Sequence, residues 1–208
     1  MDGATALGAR PSSGSGRYNG VVRTAQIDRA LVLDTGAAWL DLVATVGSRY
    51  AAAPTERLDG PARLAEWLEA EGLAPPKPPG PADLAAAREL REALAGLALA
   101  ALEGLPPEPD AVAILERHLA ADRPPSLLAT GSGLAREAPA DVATALGWVA
   151  RQAADHLAGP RAAQLSACAD PECRRLYLDP GGRRRWCSSG RCGSRARVRA
   201  YRRRRAGA

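Results

Sequence analysis

Residues 168–192 read CADPECRRLYLDPGGRRRWCSSGRC and contain all four cysteines of the chain. Their spacing is C-x4-C-x13-C-x4-C, which is two pairs of thiols separated by a short excursion. Two such pairs can bring four sulfurs to one tetrahedral site, the arrangement that structural zinc prefers. The spacing therefore predicts one structural zinc ion per chain, held by Cys168, Cys173, Cys187 and Cys192.

Other interpretations of the four thiols stay open at this point. They could be unconnected or include a redox pair, and an iron–sulfur cluster also takes four thiolate ligands. Disulfides are disfavoured, because the chain is expected in the cytoplasm, where thiols are kept reduced. A site filled by four thiolates leaves no open coordination position, so the expected metal is structural rather than catalytic.

The charge of the chain is unevenly placed along the sequence. The formal net charge is +5, from 28 basic and 23 acidic residues. Residues 168–208 contain 13 arginines and three acids, a charge of +10, so residues 1–167 carry −5. A basic segment at the end of an acidic body favours a polyanionic partner such as nucleic acid.

The segment that follows Gly193 predicts a basic helix on the zinc module. Val198 and Tyr201 are expected to pack on the module, which leaves Arg195, Arg199 and Arg202 as one exposed ridge. Such a helix suits the major groove or the phosphates of double-stranded DNA. The predicted DNA contacts are Arg195, Arg197, Arg199, Arg202 and Arg203. The alternative is a zinc-stabilised protein that binds RNA, the ribosome or any polyanion.

The rest of the chain predicts a mainly α fold. We expect a flexible leader at 1–20, a helical domain with a short β element at 21–163, and a small zinc-binding module with the basic helix at 164–208. Within the helical domain, the predicted elements are a strand at 30–34, a helix or strand at 37–46, helices at 61–72, 82–103, 110–121 and 139–158, and a loop or short hairpin at 122–138. Asp110 and Pro139 are the predicted starts of the last two helices.

Composition and motifs argue against membrane and enzyme classes. No run of 18 apolar residues exists, and residues 1–20 lack the apolar region of a secretory signal, so the expected location is the cytoplasm. His118 and His156 have no ligand partners at metal-binding spacing and are expected to be structural. The acidic pairs Glu89–Glu92 and Asp34–Asp41 are ordinary charges of helix surfaces. We therefore do not expect an enzyme.

Trp186, Tyr177 and Leu178 are expected to pack within the zinc module.

Several short motifs resemble those of a known family. Cys168-x4-Cys173, the LYLD segment at 176–179, Trp186 directly before Cys187, and Cys192-Gly-Ser-Arg at 192–195 together resemble the CGNR zinc finger. The segment LDLVATV at 40–46 is similar to an "LDLVNTV"-type opening, and RLAEWL at 63–68 and ARELREAL at 87–94 look like helices of the ABATE domain. The wider chain thus resembles the bacterial ABATE and CGNR family, which is described as stress-induced transcription regulators. The resemblance implies a zinc-dependent DNA-binding regulator.

Two residues depart from the family pattern. Ser194 stands where the family has its signature asparagine, and this change is mild if the residue caps the basic helix, because Ser and Asn cap about equally well. Ala44 stands where the family usually has another asparagine, which removes any polar role of that position in the body. A small-molecule effector or a homodimer fits such a regulator, but no residue pattern supports either one.

Overall fold

The computed structural model describes residues 29–131 and 133–206 of the chain. The leader predicted at 1–20 lies outside these described residues, and the described residues from 31 onward belong to one compact unit. Six α-helices lie in the described part of this unit: α1 (Ala38–Val43), α2 (Pro61–Ala70), α3 (Pro81–Glu103), α4 (Pro109–Leu119), α5 (Val142–Leu157) and α6 (Ser194–Ala206). Among them, none is both long and apolar enough to cross a membrane.

Three antiparallel pairs of short strands connect the helices. The pairs are β1 (Val46–Gly47) with β2 (Thr55–Glu56), β3 (Leu127–Thr130) with β4 (Gly133–Arg136), and β5 (Leu165–Ala167) with β6 (Leu176–Leu178). Residues 122–138 were predicted to form a loop or a short hairpin, and the β3–β4 pair is that hairpin. The leucines of this hairpin are exposed. The fold is mainly α with short β elements, as predicted.

Proline and glycine set the ends of the predicted helices. Pro61, Pro81 and Pro109 occupy the first positions of α2, α3 and α4. This position suits proline, because its fixed φ matches the helix and its missing N–H would have had no partner in the helix. The long helix α3 ends at Gly104, whose φ of +65° is left-handed and favours glycine.

The predicted start of α4 at Asp110 is wrong by two residues. Glu108 is the N-cap and Pro109 is the first helical residue, so Asp110 lies inside the first turn. An acidic side chain is favourable there as well, because the first turn carries the positive end of the helix dipole. The sequence signal for the helix was correct, but it was assigned to the wrong position.

The predicted start of α5 at Pro139 is also wrong. The helix begins at Val142, and Asp141 is its N-cap. The Asp141 carboxylate accepts a hydrogen bond from the backbone N–H of Thr144 at 2.8 Å. Because this bond satisfies an otherwise free backbone donor, the cap fixes the start of the helix after the proline.

Residues 30–34 do not form the predicted strand. Residues 31–34 have no regular secondary structure, and Leu33 is exposed. The next residue, Thr35, makes the backbone contact with β6: its carbonyl accepts a hydrogen bond from the Leu178 N–H at 2.8 Å. The chain then turns at Gly36, where φ is +100° and a Cβ would lie 3.2 Å from the Leu178 Cβ.

Of the two options for 37–46, the helix is the correct one, since α1 begins at Ala38.

The helical body, which we define as residues 31–163, is built around a continuous apolar core. Trp39 on α1 and Trp67 on α2 are completely buried in it. The long helices contribute most of the remaining side chains: Leu84, Leu90 and Leu94 from α3, and Val142, Leu146 and Val149 from α5. Burial of this apolar surface stabilises the body without any metal.

An ion pair between a buried arginine and a partly exposed glutamate connects α3 to β2. The Arg91 guanidinium is 5% exposed and donates to the two carboxylate oxygens of Glu56 at 2.7 and 2.8 Å. It also donates to the Thr45 hydroxyl at 3.1 Å. Although partial burial opposes the effect, the hydrogen bonds and the charge of Arg91 lower the pKa of Glu56. The paired geometry fixes the angle between the two elements.

Strand β6 joins the helical body to residues 164–206, which we call the cysteine module. Leu176 and Leu178 pack on the helical core, whereas Tyr177 between them packs among the cysteines. This division follows from the alternation of side chains along a strand. The expectation that Tyr177 packs within the module is confirmed, and the same expectation for Leu178 is wrong.

Candidate metal centre and basic helix

The four cysteines are brought together by both ends of the cysteine module. Cys168 follows β5, and Cys173 lies shortly before β6. Cys187 precedes a π-helical turn at Ser189–Gly193, Cys192 lies within this turn, and α6 follows directly. All four side chains are buried, and they form one cluster with Tyr177.

Backbone hydrogen bonds hold the loops that carry the first two cysteines. The Cys168 N–H donates to the Arg175 carbonyl at 2.8 Å, and the Cys173 N–H donates to the Asp170 carbonyl at 3.0 Å. The Ala169 N–H reaches the second half of the module, where the Arg185 carbonyl accepts it at 3.0 Å. The two halves are therefore connected by backbone as well as by the cysteine cluster.

The sulfur positions fit a single tetrahedral ion. The Sγ–Sγ distance is 3.7 Å between Cys173 and Cys187 and 3.6 Å between Cys187 and Cys192, and all four sulfurs lie within 4.8 Å of one another. A disulfide would need about 2.05 Å. Zinc–sulfur bonds of about 2.3 Å place tetrahedral sulfurs about 3.8 Å apart. An iron–sulfur cluster would hold thiolates farther apart, because they bind different iron atoms.

The four thiols cannot all ionise in this arrangement without a cation. Hydrogen bonding to the other three sulfurs lowers the pKa of Cys168 and raises the pKa of Cys187. Like charges at this separation repel one another, so four thiolates need a compensating cation. A divalent ion would remove this conflict, because it stabilises every thiolate that binds it.

Two aromatic residues complete the interior of the module. Tyr177 is almost completely buried, and its hydroxyl donates to the Arg184 carbonyl at 2.7 Å. The Arg184 guanidinium lies over the same ring, 4.4 Å from its centre. Trp186 is partly buried against the cysteine cluster, which confirms its predicted packing role. The module thus has a very small core, most of which is sulfur.

A buried carboxylate connects the cysteine cluster to the basic helix. Asp170 is 0% exposed, and its two oxygens pair with the Arg195 Nε at 3.0 Å and the Arg199 Nη2 at 3.0 Å. Arg195 also donates through its Nη2 to the Cys192 Sγ at 3.2 Å. This set of contacts, which we call the Asp170 clamp, holds one side of α6 against the metal-site loops. The sequence offered only a weak signal for it, an acid inside an arginine-rich segment.

The five arginines predicted to contact DNA fall into three groups. Arg195 and Arg199 belong to the Asp170 clamp. Arg197 donates to the Ser194 hydroxyl at 2.8 Å and to the Ser189 carbonyl at 3.4 Å. Arg202 and Arg203 are exposed in the last turns of α6. The next two residues, Arg204 and Arg205, are also exposed, and the sequence prediction left them out although the run of arginines continues through them.

The predicted packing of Val198 and Tyr201 on the module is wrong. Val198 is 49% exposed and Tyr201 is 54% exposed, and no residue of α6 is buried. The side of α6 that meets the module is the side of Arg195 and Arg199, because these arginines reach the buried Asp170 charge. Two arginines of the predicted ridge, Arg195 and Arg199, thus contact the module through Asp170 while staying 45% and 37% exposed, and Arg202 is exposed as predicted.

The histidines have structural surroundings, as expected, and both are buried rather than exposed. The Trp39 Nε1 donates to the His156 Nδ1 at 2.9 Å, across α1 and α5. Burial and the nearby Arg161 lower the pKa of His156, and burial also lowers the pKa of His118. Neither histidine belongs to the described cluster of metal-ligating side chains, which consists of the four cysteines.

The two departures from the family pattern lie at different places. Ser194 is the first residue of α6 with helical φ and ψ, and its hydroxyl accepts from Arg197 rather than from the backbone of the helix. It therefore does not act as the N-cap. Ala44 is buried at the end of α1 and lines a small cleft whose other wall includes Cys173 and Arg174 of the cysteine module.

Two family models match the chain, and between them they cover most of the described unit. Residues 36–160 match the ABATE family, described as "Putative stress-induced transcription regulator". Residues 164–205 match the CGNR zinc finger. No curated protein gives a significant match to the chain. The site of four clustered cysteines thus lies wholly within the matched zinc finger. The chain belongs to the ABATE family and has a CGNR zinc finger after its ABATE domain.

Proposed function

We propose that this protein is a zinc-dependent DNA-binding transcription regulator in which α6 is the main DNA-binding element. The observation that carries the proposal is the position of α6, which is clamped to the cysteine cluster on one side and exposed along the rest of its surface. A metal site that orders the start of a basic helix is a means of presenting that helix to a polyanion.

The charge of α6 supports a nucleic-acid partner. The helix has seven arginines and no acidic residue, and Asp170 offsets only one of these charges. The last four arginines, Arg202–Arg205, are exposed and extend beyond the clamp. Because duplex DNA carries one charge per about 1.7 Å of its axis, such a helix gains free energy by releasing counterions from the phosphates.

Zinc is the metal that the donor set favours. Four thiolates at tetrahedral spacing suit a soft, four-coordinate ion, and the matched family is named as a zinc finger. With all four positions filled by protein, the ion would have a structural role and would supply folding free energy to the module. The ligands in this proposal are Cys168, Cys173, Cys187 and Cys192.

We also propose that the helical body has no catalytic role. Its candidate acids have structural partners: Glu89 pairs with Arg117, Glu92 pairs with Arg91, and Asp41 accepts from the Thr35 backbone N–H. These contacts give structural roles to Glu89, Glu92 and Asp41; Glu71, whose pKa burial raises to about 7, is an acid of the described body that they do not involve. The body instead supplies the surface on which β5 and β6 place the cysteine module.

The experiment that tests the proposal is selection from random duplex DNA by zinc-loaded full-length protein at about physiological salt. An enriched motif is expected, and its symmetry will report whether two copies bind together. Arg202→Ala should lower affinity and reduce the slope of log affinity against log salt by about 0.9. Lys77→Ala removes one exposed charge from the body and is the matched control with no effect.

Two other outcomes would replace this proposal. Retention of duplex DNA without any sequence preference would favour a non-specific polyanion binder. Loss of all duplex binding, with RNA retained by the same protein, would favour an RNA-associated role. Either result would leave the zinc site in place but would contradict a sequence-reading regulator.

A further inference from the structure

Two apolar side chains stand in the middle of the basic surface of α6. Val198 is 49% exposed and Tyr201 is 54% exposed, and they are separated by three positions on the helix. Residues with this spacing are neighbours on one helix face. Val198 cannot bind phosphate, and Tyr201 offers an apolar ring beside its hydroxyl, so the presence of this apolar surface among seven arginines calls for a separate role.

The helix geometry places this pair between two sets of arginines. At about 100° per residue, Val198 and Tyr201 lie about a third of a turn away from the Arg195 and Arg199 side that the Asp170 clamp holds. On the same reckoning Arg202 lies on one side of the pair, and Arg197 and Arg204 lie on the other. The apolar pair therefore has arginines on both flanks, and Arg205 continues the same face one turn further on, with its guanidinium 5.7 Å from the centre of the Tyr201 ring.

The interior of the module does not need this pair. Tyr177 fills the space beside the cysteines, and Trp186 packs against the same cluster. The clamp fixes the rotation of α6 through two charged contacts to a completely buried carboxylate, so the helix cannot turn to bury Val198 and Tyr201 without breaking both contacts. The exposure of the pair is thus built into the position of the helix.

We infer that Val198 and Tyr201 are base-reading residues that contact the methyl groups of thymine in the major groove, while the flanking arginines contact phosphates. This inference rests on the proposed DNA-binding function. The major groove is about 12 Å wide and admits one α-helix, and apolar side chains distinguish thymine there by its C5-methyl group. Arginines on both flanks match the two phosphate backbones that border the groove. Charge complementarity with duplex DNA therefore identifies the partner for this face.

The test uses the duplex obtained by the selection experiment and two variants, Val198→Ala and Tyr201→Ala. Each variant should reduce the preference for the selected duplex over a scrambled one by at least about fivefold, the lower end of the cost of a wrong base pair. The salt dependence of binding should stay unchanged, because no phosphate contact is removed. Leu134→Ala, at an exposed leucine of the β3–β4 hairpin, is the matched control.

A second arm identifies the methyl group itself. Replacing individual thymines of the selected duplex by deoxyuridine removes only the methyl group, and wild-type affinity should fall about fourfold at a contacted position. The variant that lacks the contacting side chain should be insensitive to deoxyuridine at that same position. Zinc content and sedimentation of each variant show whether the module is folded and whether the oligomeric state has changed.

The outcomes separate this inference from the function on which it rests. If wild-type protein selects no duplex sequence, the regulator proposal fails and the base-reading role fails with it. If wild-type protein selects a motif and both variants keep the full preference, only the base-reading role is overturned. A change from dimer to monomer in both variants, with unchanged preference per chain, would assign the pair to self-association instead.

Discussion

The helical body and the cysteine module differ most in what fills their interiors. The body buries two tryptophans and many leucines from four helices, among them Trp39, Trp67 and Leu94. The module's own interior consists of four cysteines and Tyr177, while its Leu165 and Leu176 are buried in the core of the body. Apolar burial stabilises the first region directly, whereas the second has too few apolar side chains to fold by burial alone. The comparison indicates that one chain uses two sources of folding free energy, and that only one of them depends on metal.

The largest expected effect is the loss of the module without loss of the body. Cys187→Ser removes a ligand whose sulfur lies 3.7 and 3.6 Å from two others, so the site should no longer hold its ion. We expect zinc content to fall from one ion per chain to none and DNA binding to disappear, because structural zinc supplies the folding free energy of such modules. Metal analysis and far-UV circular dichroism measure this result.

Ser189→Ala is the control for that substitution, since Ser189 is exposed in the same turn. It should keep the zinc ion. Retention of full zinc content by Cys187→Ser would remove this cysteine from the ligand set.

The next prediction concerns a substitution that should destabilise the helical body and leave the metal site intact. Leu94 is completely buried on α3, and Leu94→Ala should lower the free energy of unfolding of the body by about 2–5 kcal/mol. Zinc content under native conditions should remain at one ion per chain. Urea unfolding followed by tryptophan fluorescence gives the change in stability. Loss of zinc from the folded variant would show that the two regions are not stabilised independently.

A smaller effect is expected at the Asp170 clamp, where the metal site meets α6. Asp170→Asn keeps the shape of the side chain but removes the charge that pairs with Arg195 and Arg199. Partners around metal ligands commonly change metal affinity by about 10–100-fold, so zinc affinity should fall by an amount in that range. Competition with a chelator measures it. Asp179→Asn, at an acid outside the clamp, is the comparison, and equal losses in both variants would contradict a specific role for Asp170.

The smallest effect concerns the response of the body to pH. Asp41 was expected to be an ordinary charge of a helix surface, but it is buried, and this burial raises its pKa to about 6 although the hydrogen bond from the Thr35 N–H opposes the shift. Between about pH 4 and 6 the unfolded chain has released this proton while the folded chain keeps it, so the free energy of unfolding falls as pH rises. Asp41→Asn removes this dependence and should raise stability at pH 8 by about 1–3 kcal/mol, with little change at pH 4.

Urea unfolding at both pH values checks the prediction for Asp41. The asparagine Oδ1 can still accept from Thr35, so the hydrogen bond is preserved in the variant. Glu116→Gln, on the exposed surface of α4, should keep the wild-type pH profile. Parallel profiles for Asp41→Asn and wild type would contradict a raised pKa at Asp41.

Local signals in the sequence predicted much of the fold. The helices predicted at 61–72 and 82–103 agree with α2 and α3 to within two residues, because the proline and glycine near their ends act through the backbone of their own position. The four cysteines of the candidate site could also be predicted, since their spacing reflects the chemistry of a single ion. Both kinds of signal are independent of how distant parts of the chain pack.

Features that depend on long-range packing could not be predicted. Leu178 packs on the body because β6 lies between the apolar core of the body and the cysteine cluster. The residues next to Leu178 in the sequence do not indicate which of these two interiors its side chain contacts. The exposure of Val198 and Tyr201 depends on Asp170, which is distant in sequence and fixes the rotation of α6. An apolar pair at helical spacing predicts packing, and the clamp overrides that preference.

Hydrogen exchange on the full-length protein, before and after removal of zinc under reducing conditions, tests the central claim most directly. We predict that protection is lost in the cysteine module, from about residue 165 through α6, while amides of α3 and α5 keep their protection. Such a result would show that metal orders α6 and that apolar burial orders the body. Unchanged protection in the module, or equal loss throughout α3 and α5, would contradict the account.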